Sequence, residues 1–185
     1  MFLFPLIIQA QGQDTLQYKY GFLVEFEGAT IQQIGFQYAF SNTNRIVVKA
    51  DANYTRSTTS SPYETDHKNR SISASSIFEH KVFQKQSASL FAEIGIKAEF
   101  SSQEVTTKQS PSSGNPDPPR TWAVESKVIS GLAGLTAEYS ITDQFSVYCL
   151  EELALRRSTE SDAGFERVLT SIQVANARIG LTIAF

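Results

Sequence analysis

The segment Arg178-Ile-Gly-Leu-Thr-Ile-Ala-Phe185 is the clearest indication of how this chain folds. Its large apolar side chains occupy every second position, and small or polar residues lie between them. Because successive side chains of a β-strand point to opposite faces, this period of two predicts a strand with one apolar face and one small or polar face. Whether the rest of the chain repeats the pattern determines the architecture.

The same alternation recurs along most of the sequence and predicts an all-β protein. In one segment, for example, Ile94 and Ile96 share one face while Gly95 and Lys97 share the other. Prolines other than Pro5 lie between such segments, as ladder hydrogen bonding requires. We expect eight strands, the fourth of them weaker, over residues 16–26, 33–40, 46–55, 72–78, 89–100, 122–139, 145–157 and 168–185.

The connections between these segments alternate in length. Tight turns are expected at residues 41–44, 84–86 and 141–144, and longer polar loops at 57–70, 101–121 and 158–167. On the long-loop side only the connection around Gly28 is short. Short turns at one rim and long loops at the other are typical of bacterial outer-membrane barrels.

Length and composition exclude several classes of protein. The 185 residues suit one domain, and a mean hydropathy of -0.20 excludes a helical membrane protein. A net charge of -3 and a pI near 5.4 argue against nucleic acid as a partner. The single cysteine, Cys149, excludes an internal disulfide and a cysteine-based zinc site.

The amino end differs from the rest of the chain. Residues 1–13 combine a short apolar run with a small and polar end, so we interpret them as a partial signal peptide. A first buried strand is the alternative. The barrel domain is then expected over residues 14–185.

The polar face of the strands carries charges of both signs. If the apolar face pointed inward, the chain would be a soluble, lipocalin-like cup; if it pointed outward, the charges would fill a narrow lumen. An eight-stranded barrel has an interior just wide enough for side chains, and charges of opposite sign there can neutralise one another. The expected lumen ionic network is Lys19, Glu25, Lys49, Asp51, Glu93, Lys97, Glu99, Glu138 and Arg178.

Strand length and aromatic placement favour the membrane orientation. Segments of ten or more residues match what a tilted strand needs to cross a bilayer. Aromatic residues near strand ends, such as Tyr38, Trp122 and Phe185, suggest two interfacial girdles. One conflict remains in the seventh segment, because Glu151 and Glu152 are adjacent and one of them must face lipid unless a bulge intervenes. We expect Glu151 to lie near the outer interface.

Together these residues resemble the small outer-membrane protein β-barrel family, the eight-stranded barrels of the outer-membrane protein A and X type. The resemblance is architectural, covers about residues 14–185, and depends on segments 90–95, 139–145 and 179–185. It implies an eight-stranded antiparallel up-and-down transmembrane barrel in the outer membrane of a Gram-negative bacterium. It also implies that the barrel-assembly machinery reads a carboxy-terminal signal, here Ile179, Leu181, Ile183 and Phe185.

No residue pattern indicates catalysis, a cofactor or a metal. Ser60, Asp66 and His67 occur in one polar loop, where such sets arise by chance, and His80 lacks a neighbouring serine. The loop acids lack calcium-loop spacing. We therefore expect a non-enzymatic structural or surface-interaction protein, embedded in outer-membrane lipid, whose long loops contact an extracellular partner. A soluble carrier of an apolar ligand and a lipid-modifying outer-membrane enzyme are the alternatives.

Overall fold

The alternating segments form long antiparallel strands. The structure, a computed structural model, describes residues 19–27, 30–60, 64–108, 120–162, 165–174 and 177–185. The described residues form nine strands: β1 Tyr20–Glu27, β2 Thr30–Ala39, β3 Asn44–Ser60, β4 Glu64–Lys85, β5 Ala88–Lys108, β6 Arg120–Ser140, β7 Phe145–Asp162, β8 Phe165–Val174 and β9 Arg178–Ala184. They contain no helix that is long and apolar enough to cross a membrane.

Eight of these strands close into a ring. β1 to β7 pair in sequence order, and β9 lies between β7 and β1. Phe22 of β1 pairs with Ile183 of β9, so the first and last strands of the chain join. Among the described residues β8 pairs with β7 alone. The prediction of an eight-stranded antiparallel barrel is confirmed.

The pairing register shows that the strands are tilted. A path of directly paired residues starts at Val147, runs through Leu181, Val24 and Ile34 and around the ring, and returns to β7 at Arg157. The shift is ten residues, from 147 to 157. Eight strands about 4.8 Å apart with that shift are tilted by about 40° from the barrel axis. Each step from one strand to the next along this path therefore rises by about one and a quarter residues. The rise is measured along the strands toward the rim opposite the short turns, and we call the resulting height the level of a residue.

The expected long loops are largely continuations of the strands, which corrects the sequence analysis. Residues 57–60 and 64–70 extend the β3–β4 hairpin, and residues 101–108 and 120–121 extend the β5–β6 hairpin. Serine and threonine are frequent here and both faces of the strands are polar, so hydropathy no longer alternates. Backbone pairing persists nevertheless, supported by contacts such as Thr106 Oγ1 to Thr121 Oγ1, 3.1 Å apart.

The eighth expected strand is divided into two. β8 and β9 both pair with β7, but Leu153 is opposite Val174 whereas Leu150 is opposite Arg178. Three steps on β7 thus correspond to four on the other strand, so the registers of β8 and β9 against β7 differ by one residue. A continuous period-two pattern predicts one unbroken strand and does not reveal this irregularity.

The turns at the opposite rim are short, as predicted. The β4–β5 turn is made by residues 86–87, and Gln86 adopts a left-handed backbone conformation with φ 52°. The expected signal segment, residues 1–13, the connection at Gly28 and the prolines of the expected loops 57–70 and 101–121 lie outside the described residues.

Candidate functional site: the ionic interior of the barrel

The apolar face of the barrel points outward. Phe22, Phe36 and Ile94 are 42%, 43% and 64% exposed, while inward neighbours such as Leu23 and Glu93 are buried. A soluble cup would bury the first group around a common centre, so this orientation excludes the lipocalin-like alternative. The exposed apolar side chains form a band around the cylinder, which belongs in lipid.

Glu25 is the centre of the first ionic cluster. Its carboxylate accepts hydrogen bonds from Lys49, from the Tyr148 hydroxyl at 3.1 Å and from Arg178 at 3.0 Å. Arg178 also donates to Glu152 at 3.2 Å. Glu25 is 1% exposed, so this carboxylate is compensated entirely by protein groups.

Arg45 organises a second cluster nearer the rim of short turns. Its guanidinium donates to Glu79 and, at 2.6 Å, to Glu138, which also accepts a hydrogen bond from Ser146 at 2.8 Å. The same guanidinium stacks over the ring of Phe91, 3.9 Å from the centroid. One cation thus connects strands β3, β4, β5 and β6 across the lumen.

Asp51 belongs to a third, more open cluster toward the opposite rim. It accepts hydrogen bonds from Ser73 and, at 2.9 Å, from Gln33. Lys97 lies 3.8 Å from Asp51 and 3.7 Å from Glu99, and Arg156 lies 3.8 Å from Glu99. These longer separations between partly exposed groups make this the loosest cluster.

Among the described residues, Glu93 is the one buried carboxylate of the lumen that forms no ion pair. Oε2 accepts a hydrogen bond from Thr136 at 3.0 Å, but Oε1 is buried without a hydrogen-bond partner among the described residues. No described cation forms an ion pair with it. Its carboxylate lies between the first and second clusters.

Apolar side chains fill the space between the clusters. Leu23, Val47, Ile77, Leu132 and Leu150 form a buried group together with Tyr148. Tyr148 can occupy the lumen because Gly180 lies under its ring, and any side chain at position 180 would overlap that ring. The lumen is therefore packed with side chains, as expected for eight strands.

The structure brings together most of the expected lumen residues. Lys19 differs: it is exposed before β1 and forms no ion pair with a described residue. Trp122, expected in an interfacial girdle, instead pairs with the buried Val105 on the inner side of the sheet.

Five ionisable residues of the clusters were not among the predicted lumen residues. The alternation of the strands already indicated that Arg45 and Glu79 point inward. Arg45 is adjacent to the outward Ile46 and Glu79 to the outward Phe78, and successive side chains of a strand point to opposite faces. Strand β7 supplied the other three, and its phase was not assigned in the sequence analysis. The missed residues are Arg45, Glu79, Tyr148, Glu152 and Arg156.

The adjacent acids of β7 are now placed. Glu152 points inward and is 6% exposed, whereas Glu151 points outward. The expectation that Glu151 lies near the outer interface is wrong, because the outward side chains of Leu153 and Leu155 lie above it on the same strand. Glu151 lies about midway up the apolar band.

His80 has a partner that does not suit nucleophilic catalysis. Its Nδ1 lies 2.7 Å from the side-chain oxygen of Asn44, whose amide nitrogen donates to Ser41 at 2.9 Å. An amide therefore separates the imidazole from the hydroxyl. Within the described part of the chain, no group of three or more acidic, histidine or cysteine side chains is placed to hold a metal ion.

Comparisons with known proteins agree with this architecture. No family model matches the sequence, and no curated protein matches it either. A major outer membrane protein from Thermus thermophilus has a similar structure, with a TM-score of 0.55 and 11% identity over 91% of this chain and 100% of that one. CarO from Acinetobacter baumannii has a TM-score of 0.50 and 7% identity, over 89% and 97% of the two chains.

At such low identity these similarities concern the fold. The outward apolar band and the ionic interior are independent of the comparisons and require that this fold be surrounded by lipid. The chain therefore has the fold of the small outer-membrane β-barrels, an eight-stranded cylinder whose apolar outer face is suited to lipid.

Proposed function

We propose that this protein is a non-enzymatic membrane anchor that presents a rigid β-sheet for contact with a partner outside the cell. The observation that carries the proposal is the continuation of the strands far beyond the apolar band. We call this part the extracellular sheet, defined as residues 55–60, 64–69, 101–108, 120–126, 158–162 and 165–170.

The extracellular sheet is paired throughout most of its height. In β5, for example, Ser101 to Thr107 pair with both β4 and β6. At about 3.4 Å per residue the eight residues 101–108 extend roughly 27 Å along the strand. A structure of this size is not needed to cross the membrane, and paired strands hold side chains in place better than loops do.

Ion pairs on the outer side make the extracellular sheet more rigid. Arg56 donates to both carboxylate oxygens of Asp66, at 2.8 and 2.9 Å, and Lys68 lies 3.1 Å from Glu104. Hydrogen bonds from Arg56 to Asp66, followed by the charge of that carboxylate, raise the pKa of the guanidinium above its usual value. Pairs of this kind connect β3 to β4 and β4 to β5.

The extracellular sheet also has two open edges. β2 pairs with β3 only as far as Ala50, so among the described residues β3 beyond that point pairs with β4 alone. Within the part of the chain that the structure describes, β8 in turn pairs only with β7. Unpaired strand edges are sites where a partner can add a strand.

The interior supports an anchoring role. We propose that the lumen residues, with Lys19 excepted, form an ionic plug whose only task is to fill and stiffen the cylinder. A lipid-modifying enzyme is less well supported, because the His80 imidazole contacts an amide and lies near the short turns. We also propose that Ile179, Leu181, Ile183 and Phe185 form the signal read by the barrel-assembly machinery.

The test is adhesion by cells that display the protein. The full chain is expressed in a non-adherent Gram-negative host beside a trimmed variant, in which residues 58–66, 103–124 and 159–168 are each replaced by Asn-Gly. A control variant carries Asn-Gly in place of the opposite-rim turn, residues 86–87. Binding of cells to glass, to collagen, to an epithelial monolayer and to sister cells is then counted.

The full chain and the turn control should increase adherence to at least one surface, and the trimmed variant should not. A change of gel mobility on heating verifies that each variant is a folded barrel. Equal adherence by the trimmed variant, or no adherence by any variant, would contradict the proposed role.

A further inference from the structure

Three cations lie on the outward face of the barrel at one level. Arg70 of β4, Lys127 of β6 and Arg157 of β7 are all exposed, and each alternates with an inward-facing neighbour. We call these three residues the basic girdle. They belong to the membrane-facing wall, so they are separate from the partner contact proposed for the extracellular sheet.

The tilt of the strands places the three residues at the same height. Arg157 is directly paired with Ile129, and Lys127 lies two residues above Ile129 on the neighbouring strand. Arg70 lies four residues above Ala74, which is on the same path of paired residues as Ile129. The level rises by about one and a quarter residues at each strand along this path. When that rise is added to the offsets along the strands, the levels of Arg70, Lys127 and Arg157 agree to within about one residue.

The basic girdle lies at the upper boundary of the apolar band. Side chains just below it are large, apolar and more than half exposed: Tyr54 56%, Ile72 59%, Phe100 53%, Ile129 69% and Ile172 76%. Above it the outward face is polar apart from Ala123 and Val168. The boundary between these zones is where lipid head groups lie.

None of the three cations forms an ion pair with a described residue. Two other outward cations are paired: Arg56, at about the height of the basic girdle, with Asp66, and Lys68, about two residues higher, with Glu104. Arg70 instead faces the ring of Tyr54, with its guanidinium carbon 5.9 Å from the centroid. The basic girdle therefore presents positive charge that the described protein does not neutralise.

A groove of about 340 Å3 connects Arg70 with Lys127. Ile72 and Phe100 line it below, and Ser102 and Glu125 line it above. Glu125 forms an ion pair with neither cation. An apolar lower part with positive ends matches an amphiphile that has a phosphate above its acyl chains.

We propose that the basic girdle binds a phosphorylated lipid of the outer leaflet, with the phosphate between Arg70 and Lys127 and the acyl chains against Ile72 and Phe100. Arg157 supplies a third positive charge at the same depth. Binding at this level would fix the depth of the barrel in the membrane. A cation near an anionic lipid surface is worth about 1 kcal/mol, so removing each one should weaken binding about fivefold.

The experiment measures lipid binding by the full chain in detergent micelles with native mass spectrometry. The probes are dioleoyl phosphatidic acid and, as the matched lipid without phosphate, dioleoylglycerol. The girdle variant carries Arg70→Gln, Lys127→Gln and Arg157→Gln. The control variant loses the same charge elsewhere, through Arg56→Gln, Lys68→Gln and Lys85→Gln.

The natural chain and the control variant should retain phosphatidic acid far better than dioleoylglycerol. The girdle variant should bind phosphatidic acid roughly a hundredfold more weakly. Ser102→Phe fills the groove without altering charge and should also weaken the binding of phosphatidic acid. This variant tests the lipid site even if the girdle variant does not fold.

Three results would overturn the proposal. The first is equal loss of phosphatidic acid by the control variant, and the second is unaltered binding by the girdle variant or by Ser102→Phe. The third is displacement of phosphatidic acid by millimolar inorganic phosphate, which would assign the cations to a soluble anion instead of a lipid.

Discussion

Single residues of the lumen differ sharply in how completely they are paired. Glu25 has three donors and is buried, whereas Glu99 is partly exposed and its cations lie 3.7 and 3.8 Å away. Removing one partner of a buried ion pair leaves an uncompensated charge, which costs much more than loss of an exposed pair. These two glutamates therefore form a matched comparison.

Glu25→Gln should lower the free energy of unfolding by roughly 3–5 kcal/mol, because Lys49 and Arg178 then face a neutral amide in a buried interior. Urea unfolding in lipid vesicles, followed by the fluorescence of Trp122, measures the change. Glu99→Gln, the control, should lose less than about 1 kcal/mol. Equal losses in the two variants would refute a special role for the Glu25 cluster.

Glu151 is the residue whose position conflicts most with its surroundings. It points outward about midway up the apolar band, where a charged side chain is unfavourable. Glu151→Leu should therefore raise the free energy of unfolding by about 1–2 kcal/mol, measured by the same urea titration. Lys85→Leu, at the short-turn rim, should have little effect. Destabilisation by Glu151→Leu would mean that the carboxylate has a structural partner.

At the scale of the element, β9 closes the cylinder. The Phe185 N–H donates to the Tyr20 carbonyl at 2.8 Å, and the rings of the two residues stack with centroids 6.4 Å apart. The last residue thus contacts the first described strand. Loss of its side chain removes a contact at the ring closure as well as the end of the proposed assembly signal.

Phe185→Ala should reduce the amount of folded barrel recovered from outer membranes, scored as the fraction whose gel mobility changes on heating. Phe83→Ala is the control, since Phe83 is a comparably exposed aromatic residue on β4 and does not lie at the closure. If the Phe185→Ala and Phe83→Ala variants gave equal fractions of folded barrel, Phe185 would be neither part of the assembly signal nor important for closing the ring.

The whole molecule combines a filled membrane cylinder with a sheet that continues into the external medium. Leu23, Val47 and Leu150 occupy the lumen between the ionic clusters and are at most 3% exposed. These described side chains fill the middle of the lumen, which larger barrels leave open as a channel.

The natural chain should accordingly produce no sustained conductance in a planar lipid bilayer at neutral pH. An Arg45→Ala and Glu138→Ala double variant, which empties the second cluster, should conduct in brief events. A large-pore barrel of known conductance serves as the positive control. Steady conductance from the natural chain would contradict the plugged interior.

The class of fold and the orientation of its faces were predictable from the amino-acid sequence alone. A period of two is a local property, so Ile94 and Gly95 reveal opposite faces without reference to any other strand. Closure was also predictable, because the alternation continues to Phe185. The ends of the strands could not be predicted, because the extracellular sheet has polar residues on both faces. These residues pair as strands, but their hydropathy does not alternate.

Which charges meet, and at what height in the barrel, depends on the three-dimensional structure. The Tyr148 hydroxyl and Glu25 are 123 positions apart, and their contact depends on the register of every strand between them and on a glycine at position 180. Likewise Arg70, Lys127 and Arg157 share a level because ten residues of shift accumulate around the ring. Register is a non-local quantity, so no single segment of sequence contains it.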